Sequence, residues 1–469
     1  MHKKIVGNII INLLYQLLAI ATPFMLTPYL TRILGSQGMG IYAYYYSIAS
    51  YFGLFSMLGV TLYGNRTIAK TENKKERSRV FYEIYSIQAF ASCLVLAAYL
   101  IYTIVICKNL KISWIFAILV LAYAFDINWF FFGIEEFKIT VTRNSMIKIF
   151  SIIMVFCTVK NECDVEVYAC ITASLTLITN VFLFINLKNR ICKVSIDKLN
   201  ISRHLKSIFV FFIPVITVSI YNIMDKIMLG ILSDMEEVGF YECSEKIKNL
   251  PMSFVTALGT VMLPRISNMF DKGESEKGHV YLERSLSISM CIISPICFGI
   301  MAIVQEFVPL FYGKGFERCI DIYPFLLLSC LFLCFAQNIK TQYLIPENKE
   351  KIFIISTIVG AVSNLVLNLV FIPRYDSVGA AMGTLCAEIS VWVFQCIKIY
   401  KDIPIKKYII NVIPYISASM IMYIFTKYVR SIFSNNLVNI IAKVIFGTIL
   451  YFLILFIFDW RNIFLKRNR

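Results

Sequence analysis

Fourteen mostly apolar runs follow one another along the chain, and they constrain its fold more than any other feature. A helix needs about 20 apolar residues to cross the hydrocarbon core of a bilayer. Only 16% of the 469 residues are charged, whereas soluble domains carry about 25%. We therefore predict an all-α polytopic membrane protein with about 14 transmembrane helices, at 5–31, 40–64, 80–106, 112–134, 140–159, 166–187, 207–233, 243–264, 285–306, 322–344, 352–373, 377–398, 408–427 and 437–459.

The basic residues of the connecting loops test this count. With the N-terminus inside, 28 lysines and arginines fall in cytoplasmic segments and 8 in the opposite loops, as the positive-inside rule requires. The first run is also longer than the 7–15-residue core of a cleavable signal, so we predict a retained first helix. The spans at 140–159 and 243–264 are the weakest, and losing both would give twelve spans with the same orientation.

The arrangement of the spans indicates an internal repeat. PYLTRILGSQGMGIY near the start resembles DKIMLGILSDMEEVGFY near the middle, and the fourth span of each half runs into a polar, aromatic tail. Two six-span halves that both start inside would be parallel repeats about an axis along the membrane normal. We predict an N-terminal six-helix lobe (1–187), a basic cytoplasmic linker (188–206), a C-terminal six-helix lobe (207–400), and two extra helices with a basic tail (401–469).

Several acidic residues interrupt apolar spans. Asp126, Asp225 and Glu388 lie where a charge costs at least about 2.5–3.5 kcal/mol and normally faces protein or water. Each carboxylate has two interpretations: pairing with a buried cation, or binding a coupling ion or proton. Polar side chains also recur at helical spacing on spans 1, 7 and 11 (Asn8, Asn12, Gln16; Ser219, Asn222, Lys226; Thr357, Asn364, Asn368). Such stripes have two interpretations: they form interhelical hydrogen bonds, or they line a polar cavity.

Basic side chains also occur at span ends and within spans. Each one has an ordinary explanation as an interfacial anchor or a snorkelling side chain. As a set spread over many helices they could instead line a site for an anionic group, since arginine and lysine recognise phosphate. This set comprises Arg32, Arg143, Lys226, Lys246, Lys248 and Lys340.

Motifs for catalysis are missing from the sequence. It contains no nucleotide-binding loop, no nucleophile elbow, no CxxC and no metal-ligand spacing. The net charge of +16 is concentrated in loops, which fits membrane topology better than nucleic-acid binding. We therefore predict a protein that is not an enzyme, carries no cofactor or metal, and binds no nucleic acid.

The chain resembles the bacterial polysaccharide-biosynthesis flippases, the Wzx-type O-antigen and capsule repeat-unit exporters of the multidrug/oligosaccharidyl-lipid/polysaccharide exporter superfamily. The motifs that carry this resemblance occur in family order along nearly the whole chain. They are PYLTRILGSQGMGIY (28–42), GVTLYGNRTIAK (59–70), DINWFFFGIEEFKITVTRN (126–144), FIPVITVSIYNIMDKIMLG (212–230), GFYECSEKIKNLP (239–251), TQYLIPENKEK (341–351) and SNLVLNLVFIPRYDSVGAAMGTLCAE (363–388).

The resemblance implies two six-helix bundles around a central cavity and an undecaprenyl-pyrophosphate-linked oligosaccharide that moves to the outer leaflet of the bacterial cytoplasmic membrane. The loop charges place both termini in the cytoplasm. Coupling to an H⁺ or Na⁺ gradient is one option, the partners are membrane lipids, and a polysaccharide polymerase and a chain-length regulator are further partners that the resemblance suggests. Arg32 and Lys246 resemble cavity cations of related flippases, with Arg66, Arg143, Lys226, Lys248 and Lys340 as further substrate-binding candidates. Asp126, Asp225 and Glu388 are our own candidates for ion coupling.

Two other functions are compatible with parts of the pattern. A cation-coupled multidrug or small-molecule exporter would share the fold, but its cavity would favour acids and aromatic side chains over lysine and arginine. A membrane polysaccharide polymerase usually needs a long extracytoplasmic loop, and no loop here exceeds about twenty residues. The sequence therefore favours the flippase.

Overall fold

The structure is a computed structural model that describes residues 2–195, 197, 199–429 and 436–467, with side chains except at 2–17, 19–20, 137–138, 220–222 and 458–467. The described chain is almost entirely helical. Its α-helices are α1 His2–Met57, α2 Val60–Ala69, α3 Lys74–Val105, α4 Leu110–Ala124, α5 Asn128–Gly133, α6 Phe137–Thr158, α7 Val165–Leu187, α8 Ser202–Leu232, α9 Met235–Asp271, α10 Ser275–Tyr312, α11 Arg318–Ile339, α12 Glu350–Ile399, α13 Ile405–Tyr428 and α14 Asn436–Arg467.

Two of these helices contain a sharp reversal and therefore form two spans each. Gly35 interrupts α1 with φ 64°, a left-handed conformation that glycine adopts without strain. Asp376 interrupts α12 with φ 52°, and the Ser233 hydroxyl donates to its Oδ1 at 2.7 Å. Eleven described helices could cross a membrane, or twelve if Ala21–Met57 and Val60–Ala69 form one bent span. Dividing α1 and α12 at their reversals gives the predicted fourteen, so the fold class is confirmed.

The fourth span is not the continuous helix that we predicted over 112–134. It ends at Ala124 and resumes at Asn128, so Asp126 lies in a short interruption. The buried Gln88 of α3 donates to the carbonyls of Tyr123 and Asp126 at 3.0 and 2.9 Å. The Trp129 indole donates to the Gln88 carbonyl oxygen at 3.0 Å. One amide side chain thus binds the backbone groups that the interruption exposes, as a membrane interior demands.

The corresponding span of the second half is also irregular at its end. α11 passes into a π-helical turn, Lys340–Leu344, where the buried Gln342 donates to the Ser285 hydroxyl at 2.7 Å. In the loop that follows, the Lys349 ammonium donates to Asp402 Oδ2 at 2.6 Å. That hydrogen bond holds the pKa of Asp402 below its ordinary value. Both polar, aromatic tails seen in the sequence therefore mark a departure from α-helix.

The chain divides into two compact units, Met1–Gly230 and Ile231–Arg469. Helix α8, which the sequence assigned to the second half, belongs to the first unit in this division. The buried Glu83 of α3 joins it there, accepting from Asn200 N at 2.7 Å, from Arg203 Nη2 at 2.6 Å and from His204 Nε2 at 2.8 Å. A six-helix lobe that ends at 187 remains a prediction.

In the second unit, α13 and α14 pack on α10 at both ends and in the middle. The Glu283 carboxylate accepts from Lys407 Nζ at 2.8 Å and from Asn411 Nδ2 at 2.6 Å. In the middle, the Ser419 hydroxyl donates to that of Ser294 at 3.0 Å. Near the other end, Glu306 of α10 forms an ion pair with Lys443 of α14, with side chains 12% and 6% exposed. The two helices outside the sequence repeat are therefore firmly attached to the second unit.

Two glycines of α12, Gly379 and Gly383, allow its halves to approach each other after the reversal, because small residues permit close packing of helices. A Cβ at Gly379 would lie 2.3 Å from the Phe371 carbonyl oxygen, and one at Gly383 would lie 2.1 Å from Asn368 Oδ1. A backbone atom cannot move aside as a flexible side chain can. Of these two positions, Gly379 is therefore the one that tolerates a side chain less well.

We expect Gly379→Ala to destabilise the protein by roughly 1–3 kcal/mol, because overpacking forces backbone shifts of this cost. The midpoint of thermal unfolding of the detergent-solubilised protein measures the effect. Gly299→Ala is the control, since its Cβ would meet only Met422 Cε at 3.8 Å. Equal midpoints for the two variants would show that the halves of α12 are not in close contact.

We expect Lys443→Met to destabilise the second unit by about 3–5 kcal/mol, because it leaves the Glu306 carboxylate buried without its lysine. The double variant Glu306→Gln/Lys443→Met removes both charges and is expected to recover most of that loss. Lys407→Met is the exposed comparison, since the Lys407 side chain is 61% exposed and such pairs contribute about 0–1 kcal/mol. A double variant as unstable as Lys443→Met in thermal unfolding would refute this account.

Candidate functional site

Two of the candidate residues in the first unit share a partner. Arg143 of α6 is 6% exposed, and its Nη2 donates to Asn128 Oδ1 at 3.0 Å. The Asn128 side chain in turn donates to Asp126 Oδ1 at 2.6 Å. Asp126, Asn128 and Arg143 thus form one chain of hydrogen bonds at the interruption of the fourth span. Asp126 and Arg143 were candidates from the sequence, whereas Asn128, which links them, was not.

The other arginines proposed for substrate binding in this unit are exposed. Arg32 lies one turn before the reversal at Gly35, and its Nη1 donates to the Pro28 carbonyl at 2.6 Å. Arg66 lies on α2, with its guanidinium carbon 6.0 Å from the centre of the Phe211 ring. Both cations can therefore be reached by a ligand without unfolding a helix.

The charged pair in the middle of the chain is partly buried. Asp225 is 4% exposed, and the neighbouring Lys226 is half-buried. Their helix, α8, carries Pro214 as the sequence indicated. The side chains of Asn222 and of the first-span stripe (Asn8, Asn12, Gln16) lie outside the described residues.

The candidate lysines of α9 point in different directions. Lys246 Nζ lies 3.2 Å from Glu242 Oε1, with the lysine side chain 23% exposed, whereas Lys248 is 6% exposed. Residues two apart on an α-helix lie about 200° apart around its axis. One ligand therefore cannot contact both lysines from the same face of α9. Lys340, at the π-helical turn, lies with its Nζ 4.2 Å from the centre of the Phe353 ring.

Glu388 is buried on the second half of α12, and further buried polar side chains lie on both halves. Its side chain is 1% exposed, and the buried Asn364 and Asn368 occupy the other half of the helix. Asn368 Nδ2 donates to Asn364 Oδ1 at 3.2 Å, and the Thr384 hydroxyl lies 2.9 Å from that of Tyr241. Carboxylate, amide and hydroxyl oxygens are suitable ligands for a hard cation. The described residues contain no cluster of three or more His, Cys, Asp or Glu that could hold a metal ion.

Three largely buried charged residues were not among the candidates from the sequence: Glu83, Glu306 and Lys443. Glu83 is wholly buried although it follows a basic segment at the start of a predicted span. Glu306 and Lys443 each lie within or at the end of an apolar span, the same signal that identified Asp126 and Glu388. A charged residue in an apolar span thus indicates both Glu306 and Lys443 from the sequence. That the two side chains pair with each other depends on how α10 and α14 pack, which the sequence does not show.

The candidate residues therefore fall into three groups. The structure joins Asp126 to Arg143 through Asn128, and it places Lys246 beside Glu242. It leaves Arg32 and Arg66 accessible, and it buries Asp225, Lys248 and Glu388. Arg32 belongs to the first unit and Lys246 to the second.

Comparisons with known proteins agree with this fold. The polysaccharide biosynthesis protein family matches residues 5–270, more than half of the chain, and the MatE family matches 211–370. A protein of Shigella dysenteriae named "Putative O-antigen transporter" is 23% identical over 379 residues, which cover 80% of this chain and 94% of that protein.

Two solved structures define the likeness of fold. "Lipid II flippase MurJ, inward closed conformation" aligns with a TM-score of 0.75 at 15% identity, over 98% of this chain and 100% of that chain. An inward-facing multidrug resistance MATE family transporter aligns with a TM-score of 0.53 at 14% identity, over 82% of this chain and 95% of that one. With a multi-pass helical fold and a family match over more than half of its length, the chain belongs to the polysaccharide biosynthesis protein family.

Proposed function

We propose that this protein is a flippase for undecaprenyl-pyrophosphate-linked oligosaccharide repeat units. It moves them from the inner to the outer leaflet of the bacterial cytoplasmic membrane by alternating access, for O-antigen or capsule synthesis. Both termini lie in the cytoplasm, as the distribution of loop charges favours. A polysaccharide polymerase and a chain-length regulator are the partners that would use the translocated units.

One observation carries this proposal: a relative named as an O-antigen transporter aligns over 80% of this chain and 94% of its own length. Shorter alignments support the same class of substrate. They include a lipid II flippase of Bacillus subtilis, 25% identical over 162 residues, and a glycan biosynthesis flippase of Haloferax volcanii, 27% identical over 165 residues. Each of the three names describes a transporter or flippase rather than an enzyme.

Cations that are at least partly accessible are the natural ligands for the pyrophosphate. Arg32 and Lys246 are the first candidates, followed by Arg66, Lys226 and Lys340. A guanidinium forms paired hydrogen bonds to phosphate oxygens, and an ammonium acts as a compact charge. Because Lys248 points away from Lys246 and is buried, a role as second ligand beside Lys246 is the weakest of these assignments.

Ion coupling is assigned to the buried acids. Glu388, in the polar region of α12, is the strongest candidate because Asn364, Asn368 and Thr384 supply further oxygens on the same two half-helices. Asp225 and Asp126 are the alternatives. Proton or Na⁺ entry at such a site would shift the equilibrium between two conformations only by its differential affinity for them.

A cation-coupled multidrug exporter is the second candidate, because the MatE family matches residues 211–370. This MatE match covers fewer residues than the match to the polysaccharide biosynthesis protein family, which covers residues 5–270. The abundance of lysine and arginine at candidate positions favours an anionic substrate over the cations that an acidic cavity would take.

Deleting the gene is expected to abolish the surface polysaccharide and to accumulate lipid-linked repeat units in the cytoplasmic leaflet. Reintroducing Arg32→Ala or Lys246→Ala should restore about tenfold less surface glycan, or less still, than the wild type. The loss of one charged hydrogen bond, about 1.5–3 kcal/mol, corresponds to a factor of about ten or more. Quantifying surface glycan and the leaflet distribution of lipid-linked precursors measures both effects.

Lys314→Ala, which removes an exposed loop cation, is the matched control and should behave as the wild type. Membrane levels of all variants are compared by immunoblot. Unchanged glycan and precursors after deletion, with no second exporter in the genome, would disprove the flippase, and drug-efflux assays would then test the exporter. Full activity of both alanine variants would retain the flippase and reject these two ligands.

A further inference from the structure

Four polar side chains meet where α11 passes into its π-helical turn, and together they form the Gln342 cluster. Ser285 and Ser289 come from α10, Asn338 from the last turn of α11, and Gln342 from the π-helical turn. These residues are 1, 3, 1 and 0% exposed, so bulk water does not reach them. Each polar atom of the cluster therefore needs a hydrogen-bond partner in the interior, from the protein or from a bound water.

Hydrogen bonds within the cluster account for most of these atoms. Asn338 Oδ1 accepts from Ser289 Oγ at 3.3 Å and from Ser285 Oγ at 3.4 Å. Gln342 Nε2 donates to Ser285 Oγ at 2.7 Å and to Asn338 Oδ1 at 2.9 Å. Asn338 Nδ2 donates to the Cys334 carbonyl at 2.8 Å. Gln342 Oε1, in contrast, is a buried acceptor that has no hydrogen-bond partner among the described residues.

Rotating the amide groups does not supply the missing partner. With the Gln342 amide reversed, its oxygen would lie against Asn338 Oδ1, so that two acceptors would face each other. Reversing the Asn338 amide as well would place the Asn338 oxygen against the Cys334 carbonyl, which is again an acceptor. Because an acceptor bonds only to a donor, the cluster needs one additional donor in any orientation of its amides.

The chemistry of the cluster selects the group that supplies this donor. The group must be small, because Gln342 is wholly buried and the four side chains already contact one another. A buried water molecule is small enough, and it typically bonds to polar groups that would otherwise lack a partner. A cation is disfavoured, since the four neutral side chains offer no negative charge to offset its loss of hydration.

The interruption of the fourth span shows the same kind of joint with all of its hydrogen bonds made. There the buried Gln88 donates to the carbonyls of Tyr123 and Asp126, and Gln88 Oε1 accepts from Trp129 Nε1 at 3.0 Å. A protein side chain thus bonds to the acceptor of the first glutamine. In the corresponding span of the second half, the donors of Gln342 are used in the same way, whereas its acceptor is not.

We propose that the Gln342 cluster binds one ordered water molecule, which donates a hydrogen bond to Gln342 Oε1 and completes the π-helical joint at the end of α11. This water has the role that the Trp129 indole has in the first half. A water molecule exchanges with its surroundings and a side chain does not, so this joint can change its hydrogen bonding without moving a neighbouring helix. The inference goes beyond the proposed function and does not depend on it.

X-ray footprinting of the purified, full-length protein in nanodiscs tests for the water. Irradiation converts bound water into hydroxyl radicals, which oxidise the side chains beside it, and mass spectrometry locates the products. Cys334, whose Sγ lies 3.7 Å from Asn338 Nδ2, is the reporter. Cys319, near the other end of α11, is the matched control, because both cysteines are wholly buried and the Cys319 thiol donates to the Phe240 carbonyl at 3.5 Å. We expect Cys334 to be oxidised several-fold faster than Cys319.

Two variants show whether this oxidation depends on Gln342. Gln342→Met removes the amide and should lower the oxidation rate of Cys334 to that of Cys319, whereas Ser289→Ala retains the amide and should keep the faster rate. Replacing Na⁺ in the buffer by N-methylglucamine should change neither rate, and a change would assign the site to a cation and reject the water. Equal rates for the two cysteines in the wild type would overturn the proposal, and that comparison requires no variant to fold.

The midpoint of thermal unfolding gives an independent test. If Gln342 Oε1 had no donor, Gln342→Met would remove a buried unpaired acceptor and raise the midpoint. With a bound water, the variant loses a complete set of hydrogen bonds and its midpoint should fall. Gln88→Met, which removes a glutamine with direct protein partners, is the reference for such a fall. A midpoint of Gln342→Met above that of the wild type would overturn the proposal.

Discussion

The absence of water from the hydrocarbon core is the constraint on which the rest of the structure depends, because each backbone group that a helix leaves exposed must find a partner inside the protein. The interruption of the fourth span is possible because Gln88 donates to the carbonyls of Tyr123 and Asp126. The reversal within α12 is accompanied by a bond from the Ser233 hydroxyl to Asp376. Irregular backbone therefore occurs beside side chains that compensate for it, and these side chains also position the charged residues nearby.

The same constraint distinguishes two kinds of cation. Lys443 pairs with a carboxylate, and so do Arg79 and Arg203, which share Glu83. Such pairs attach one helix to another, and a lost partner would leave a costly buried charge. Exposed cations such as Arg32 and Arg66 make contacts within the protein while remaining accessible to a ligand. An observed carboxylate partner thus marks the cations that hold helices in place, whereas accessible cations could bind an anion.

The positions of the spans were predictable because hydropathy and loop charge report directly on membrane crossing. The break at Asp126 was not, since three residues hardly change the mean hydropathy of a 23-residue window. The buried state of Glu83 was hidden for a related reason: it follows several basic residues, and only the return of Arg203 and His204 from α8 encloses it. The opposite directions of Lys246 and Lys248 could have been derived from helical geometry alone.

The hydrogen bonds of Arg143 connect these two consequences of the missing water. The Arg143 guanidinium donates to the side-chain oxygens of Asn128 and Asn144 and to the Thr179 carbonyl. Asn128, which follows the interruption of the fourth span, in turn donates to Asp126 within it. A desolvated charge carries a free-energy cost, and these oxygens lower that cost for the buried arginine. The irregular backbone of the fourth span therefore supplies the asparagine that links a charged residue of α6 to an acid of the preceding segment.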